Sequence, residues 1–175
     1  MVNDNIINDS LLHVAKLMIV AAKTAPKARG RDHLVMMIAE KSDIFTLSNK
    51  MIDLAEKEGI EIFKRDAENI LLSPFLILIG TKIQTAGLTK CSMCGFINCE
   101  EKNKFKNIPC VFNTGDLGIA IGSAVSIAMN HRVDNRIMYT VGQAAIELKL
   151  LGNDVPVIYG IPLSATGKNP FFDRK

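Results

Sequence analysis

The chain has 175 residues, 48% hydrophobic and 22% charged, which gives enough material for one ordinary domain with a sizeable core and excludes a disordered chain. Its 21 basic and 18 acidic residues leave a formal net charge of +3. That excess is too small and too dispersed to mark a nucleic-acid surface, and a chain with no Trp and 2 Tyr offers no aromatic platform for stacking bases.

The opening MVNDNIINDS lacks the basic-then-apolar order of a secretory leader, and no run reaches the roughly 18 uncharged apolar residues of a membrane span. A soluble, cytoplasmic protein with no membrane partner is expected. Asp9 or Ser10 can cap a first helix in which Leu11, Leu12, Ala15, Met18, Ile19 and Ala22 recur at helical spacing, up to Pro26. The polar turn KTAPKARGRDH follows, and His33 to Ala39 reads as a buried strand. A second helix is predicted from Ser48 to Glu58, capped by Ser48 and stopped by Gly59. Ile60 and Ile62 suggest a short strand, and Lys64 to Leu72 a short helix halted before Pro74. Phe75 to Gly80 is a second buried strand. Beyond a loop from about Thr85 to Cys110, Gly115 and Asp116 open a long small-residue helix reaching about Asn130. After a break at His131 to Asn135, a further helix is predicted over Arg136 to Leu151, closed by Gly152, then a third strand from Val155 to Ile161 and a loop-like tail. Apolar strands alternating with helices indicate an α/β or α+β sandwich, here one domain over residues 1–175 with the loop as an insertion.

That loop holds all 4 cysteines, Cys91, Cys94, Cys99 and Cys110, spaced Cys-x2-Cys-x4-Cys-x10-Cys. Four thiolates can close a tetrahedral zinc site or hold the irons of an iron–sulfur cluster. Cys91 and Cys94 make a tight chelate, Gly95 lets the backbone turn behind them, and Pro109 fixes the approach to Cys110. In a reducing cytosol such a group favours metal or redox chemistry over a structural disulfide. The spacing matches neither the bacterial ferredoxin run nor two facing Cys-x2-Cys knuckles. A cluster is placed ahead of zinc, with free or redox-active thiols as the bland alternative. Glu100 and Asp116 are candidate oxygen ligands, with structural roles as the default.

Elsewhere, Lys23, Lys27, Arg29 and Arg31 surround Gly30 in a turn that suits a phosphate or simply a solvated surface. In the small-residue helix, Gly118, Gly122 and Ser126 form one row and Ala120, Ala124 and Ala128 another. Such faces admit a close-crossing partner: a core helix, the same helix of a second subunit, or a flat cofactor. His13, His33 and His131 are scattered and are read as structural.

Three stretches carry a resemblance: AAKTAPKARGRDHLVMMIA; CSMCGFINCEE with the following PCVFNTGDLGIAIGSAVSIAMNHRVDNRIMYTVGQAA; and YGIPLSATGKNPFF. Together they resemble a family of prokaryotic proteins described as ferredoxin-domain-containing. A more distant resemblance is to the nitroreductase flavoproteins, through Ala21-Ala22, Ala25-Pro26, the small-residue helix near Asp116, and the Gly160-Ile161-Pro162 step before a basic tail. The nitroreductase resemblance implies an α+β three-layer sandwich, a mixed sheet flanked by helices, and a homodimer with FMN between subunits. By position it implies a flavin-phosphate set of Lys27, Arg29, Arg31, Lys168 and Arg174. The Arg-rich segment that precedes the first long helix in nitroreductases has no counterpart here, where the first Arg is Arg29. The combined expectation is a redox protein, with an iron–sulfur cluster on the four cysteines, FMN as a further cofactor, a homodimer, and an unidentified redox partner. The alternative is a non-enzymatic module stapled by zinc or sensing a metal. Whether the chain is an enzyme stays open.

Overall fold

The computed structural model describes residues 4–172. Its elements in chain order are α1 (Asp4–Thr24), a short 3-10 turn (Ala28–Gly30), β1 (Leu34–Ala39), α2 (Lys41–Glu58), α3 (Glu61–Ile70), β2 (Phe75–Thr81), α4 (Cys99–Lys102), α5 (Val111–Asn130), β3 (Asp134–Asn135), α6 (Tyr139–Glu147) and β4 (Val157–Ser164). The sheet has the order β1-β2-β4-β3. Every strand pair is antiparallel, so the mixed sheet expected from the resemblance is corrected. The reason lies in the connection: α2 and α3 make two passes, so the chain re-enters the sheet from the far end and β2 runs back along β1.

Side chains alternate across this sheet with the period of two that a pleated strand imposes. Val35, Met37, Leu76, Leu78 and Ile158 face a core built with α2, α3 and α6. Leu34, Met36, Ile77, Ile79, Ile161 and Leu163 face a second core built with α1 and α5. Helices therefore cover both faces, and the three-layer α+β expectation holds. The apolar runs of β1 and β2 are explained by this, since a strand buried on both sides has no polar face to show. Although α1 and α5 are long and apolar enough by composition to cross a membrane, each lays a stripe on the sheet: Leu11, Val14, Ala15, Met18 and Ala22 on one, Leu117, Ala120, Ile121, Ala124 and Ala128 on the other.

Two local expectations are corrected. Helix α2 starts at Lys41, well before Ser48, because Glu40 and Asp43 form the capping box that begins it. Ser48 is instead buried mid-helix, and its Oγ donates to the Ala67 carbonyl at 3.0 Å, tying α2 to α3. Ile60 and Ile62 make no strand: Ile60 is the N-cap of α3, whose Phe63, Ala67 and Ile70 recur on one buried face.

The tightest packing is where α6 crosses β4. A Cβ on Gly142 would lie 1.8 Å from the Ile158 carbonyl oxygen, and one on Gly160 2.3 Å from Val141 Cγ1. Only hydrogen at both positions lets the two backbones meet. Beside this crossing, the buried Asp66 accepts from Thr140 Oγ1 at 2.7 Å and pairs with Arg65 at 2.7 Å, joining α3 to α6.

Candidate metal centre

The cysteine loop occupies residues 82–110, leaving the sheet at the end of β2 and returning at α5. It carries its own framework. Ser92 adopts a left-handed φ of 61° and its Oγ donates to the Ile97 carbonyl at 2.8 Å, closing the chelate turn around Cys91 and Cys94. Asn98 caps α4 by accepting from the Glu101 N–H at 2.8 Å, while the Glu101 carboxylate accepts from the Ile97 N–H at 2.8 Å. This places Cys99 at the first position of α4. Phe96 and Phe105 stack at 5.3 Å, and Lys102 is 2% exposed, so α4 packs its last side chain inward.

The base of the loop is clamped by Asn113, which is 3% exposed. Its Oδ1 accepts from the Cys110 N–H and from the Gln84 N–H, both at 3.1 Å. One amide thus holds the outgoing and returning chain together, and Cys110 becomes the N-cap of α5. All four cysteines line a single cavity of about 130 Å³, with Leu88, Phe96 and Phe112 as its apolar wall. No acid shares that lining. The volume suits an ion or a compact inorganic group and is well below the ~300 Å³ at which organic ligand sites begin. Cys110 is buried, while Cys91, Cys94 and Cys99 are half-buried. Among the described residues no three Cys, His, Asp or Glu side chains stand as a ready-made metal group. The donors are therefore gathered round one space, with Cys110 buried and its N–H held by Asn113. The donor set itself, all thiol, fits zinc or an iron–sulfur cluster. Neither candidate oxygen ligand belongs to it. The Asp116 carboxylate accepts the Ala28 N–H at 3.1 and 3.2 Å, fastening the basic turn to α5, and Glu100 is exposed on α4.

Residues 106–174 match the family described as "Uncharacterized protein containing a ferredoxin domain (DUF2148)". An uncharacterized protein of Archaeoglobus fulgidus is 38% identical over 174 residues, covering 95% of this chain and 93% of that one. The chain belongs to this ferredoxin-domain-containing family. Of the four cysteines, only Cys110 falls inside the segment that carries the family match. The fold is that of the nitroreductases. A nitroreductase family protein from Clostridium novyi superposes with a TM-score of 0.58 at 14% identity, covering 87% of this chain and 73% of that one. A nitroreductase with bound FMN from Bacteroides fragilis superposes at 0.61 and 9% identity, covering 93% and 81%.

In this family member, of the described residues expected to share a phosphate, Lys27, Arg29 and Arg31 stand on one turn and Lys168 lies apart from it. The Lys27 ammonium folds back onto the carbonyls of Ala22, Lys23 and Ala25 at 3.1, 2.8 and 2.8 Å, capping the end of α1. Arg29 donates to the Gly87 carbonyl at 2.7 Å and so ties the turn to the start of the cysteine loop. The Arg31 guanidinium lies close by, 3.7 Å from where a Gly87 Cβ would stand. Lys168 follows the far end of β4, so the full length of that strand separates it from the turn. Arg174 lies outside the described residues. The turn is instead an electrostatic latch. The Lys23 ammonium pairs with Asp32 at 2.5 Å. Partial burial alone would raise the Asp32 pKa, but the hydrogen bonds from Lys23 and the Leu34 N–H and the nearby Lys27 charge outweigh it and hold the carboxyl below its usual 3.8.

Asn113 escaped the sequence reading, although its signal was present. A Cys-x2-Asn step at the mouth of a helix is the N-cap to N3 spacing of a capping box. The Ser92 turn had no such signal.

Proposed function

We propose that this protein is a one-electron carrier or oxidoreductase component whose redox centre is an iron–sulfur cluster on Cys91, Cys94, Cys99 and Cys110. The observation that carries the reading is the convergence of four thiols, spread over 20 positions, on one small acid-free cavity. A cluster bound there supplies the one-electron chemistry. The chain supplies the rest: Asn113 seats Cys110, the Ser92 turn and α4 present the other three thiols, and Phe96 and Phe112 exclude water. The family's ferredoxin-domain description and a fold shared with oxidoreductases support a redox role.

The proposal includes a cytoplasmic homodimer formed through α5. The Gly118, Gly122 and Ser126 row is exposed, together with Ile119 at 50% and Met129 at 64% exposure. Added Cβ atoms at Gly118 and Gly122 would meet nothing within 4 Å, so this row has no close partner within the described chain. A separate redox partner would supply or remove the electron.

A second reading adds FMN. An apolar groove of about 360 Å³, lined by Pro26, Ala28, Phe112, Asp116 and Ile119, adjoins the cysteine loop at Met93. It falls in the size range of organic cofactor sites. The nearby cations of the turn, Lys27 and Arg29, are held by backbone carbonyls in the single chain.

Anaerobic purification followed by absorption spectroscopy and iron, sulfide and zinc analysis tests the proposal. Iron and sulfide in near-equal amounts with broad visible absorption are expected. A colourless protein with one zinc per chain would establish the zinc-stapled module instead. FMN released on denaturation, or its absence after reconstitution at micromolar FMN, decides the flavin reading.

A further inference from the structure

A cavity of about 590 Å³ lies at the opposite end of the sheet from the cysteines. It opens where β2 begins and β4 ends, between the first turns of α1 and α2. Ile7, Leu11, Ile44, Phe45 and Leu72 give it an apolar wall. Phe45 and Leu72 are each 60% exposed at its mouth.

Its polar groups have a specific character. Ser73 and Ser164 both line it, are 4% and 1% exposed, and have side-chain hydroxyls with no hydrogen-bond partner. Ser73 lies just before β2 and Ser164 closes β4, so both sit at the same end of that strand pair. A buried hydroxyl left unpaired is destabilising. Of the three buried side-chain polar atoms without a partner among the described residues, two, Ser73 Oγ and Ser164 Oγ, belong to this one cavity, which marks a place where an acceptor belongs. A serine has a single heavy-atom torsion with three staggered wells, so χ1 is the one rotation that can re-aim each hydroxyl. The lining also contains one cation, Lys41, and no acid. No described ion pair engages Lys41.

We propose that this cavity binds a small organic carboxylate with an apolar body, of the medium-chain fatty acid class. The carboxylate oxygens would accept from Ser73 and Ser164, Lys41 would balance the charge from the rim, and the chain would lie along Ile44 and Leu11. A purely apolar ligand would leave both hydroxyls unpaired. The cavity volume lies within the range of known small-molecule sites. The proposal does not depend on what the cysteines hold.

Isothermal titration of the full chain with decanoate and with decylamine tests it. One decanoate per chain is expected, with decylamine at least tenfold weaker. Lys41→Glu, on the exposed rim, should weaken decanoate at least tenfold. Ser164→Ala should weaken it severalfold while raising the melting temperature of the ligand-free protein, because the unpaired hydroxyl is gone. Equal affinity for both probes, or decanoate affinity unchanged in both variants, would overturn the proposal. So would an absence of decanoate binding together with a dimer that Phe45→Glu dissociates, which would assign the face to a second copy.

Discussion

Helices α5 and α6 both carry glycine, and they use it in opposite ways. On α5 the glycines at 115, 118 and 122 look outward and an added methyl would meet nothing, while the alanine row of the same helix packs inward against α1 and the sheet. On α6 the single Gly142 looks inward and would collide with the backbone of β4. A conspicuous glycine row thus marks a surface open to a partner, and an inconspicuous glycine marks the closest approach in the fold. Counting small residues finds the first. Only knowing what crosses the helix finds the second.

The sharpest test of this contrast is Gly142→Ala. The methyl cannot be accommodated by a rotamer change, because the obstacle is the Ile158 carbonyl, so a loss of about 3 kcal/mol is expected, roughly 6–12 °C in melting temperature. A variant melting within 2 °C of the parent would mean that α6 does not sit on β4 this closely.

Asn113→Ala, at the base of α5, comes next. The buried N–H of Cys110 and the part-buried N–H of Gln84 lose their acceptor, and a cost of about 1–3 kcal/mol is expected. The variant should also lose metal to a chelator faster than the parent, and Asn113→Asp, which keeps an acceptor oxygen, should restore part of that retention. If metal release is unchanged in Asn113→Ala, the clamp serves the fold alone.

On the outward face, Gly122→Leu should leave the fold intact, within about 0.5 kcal/mol as for other surface changes, while abolishing the proposed dimer. Light scattering should then report the single-chain mass of 19.2 kDa. If the parent chain already scatters as a single chain, the α5 face has a different use.

The smallest effect concerns the turn between α1 and β1. Because the folded Asp32 carboxyl is held below 3.8, its pairing with Lys23 stabilises the protein above that value and is lost as pH falls through the lower folded value. Acid titration should therefore release this turn only below pH 3.8, and Asp32→Asn should remove that part of the acid dependence without changing stability from neutral pH upward in shape. A turn that loosens near neutral pH would contradict the pairing.

Much of the architecture was legible in the residues because a strand buried on both faces, such as Phe75–Gly80, has an unmistakable composition. The cysteine loop was legible for a similar reason, since four thiols in a short polar stretch are chemically conspicuous. Helix α2 was misjudged at its start because Glu40 and Asp43 make a cap from residue types less often used as one, while Ser48, a good cap by type, was claimed by Ala67 of α3. In the basic turn, the sequence could not show that Lys27 and Arg29 donate to backbone carbonyls, because those carbonyls are brought to them by the fold.

Periodicity, composition and the position of four thiols, all properties of neighbouring residues, were therefore enough to determine the layers of this protein and the location of its candidate metal centre. What only tertiary structure decided depends on residues distant in sequence. Gln84 and Cys110 meet on Asn113, the cysteines converge on one cavity, and Ser73 and Ser164 line another at the other end of the sheet. The physical reason is the same in each case. A hydrogen bond or a cavity belongs to a pair of surfaces, and the second surface is chosen by how the chain packs.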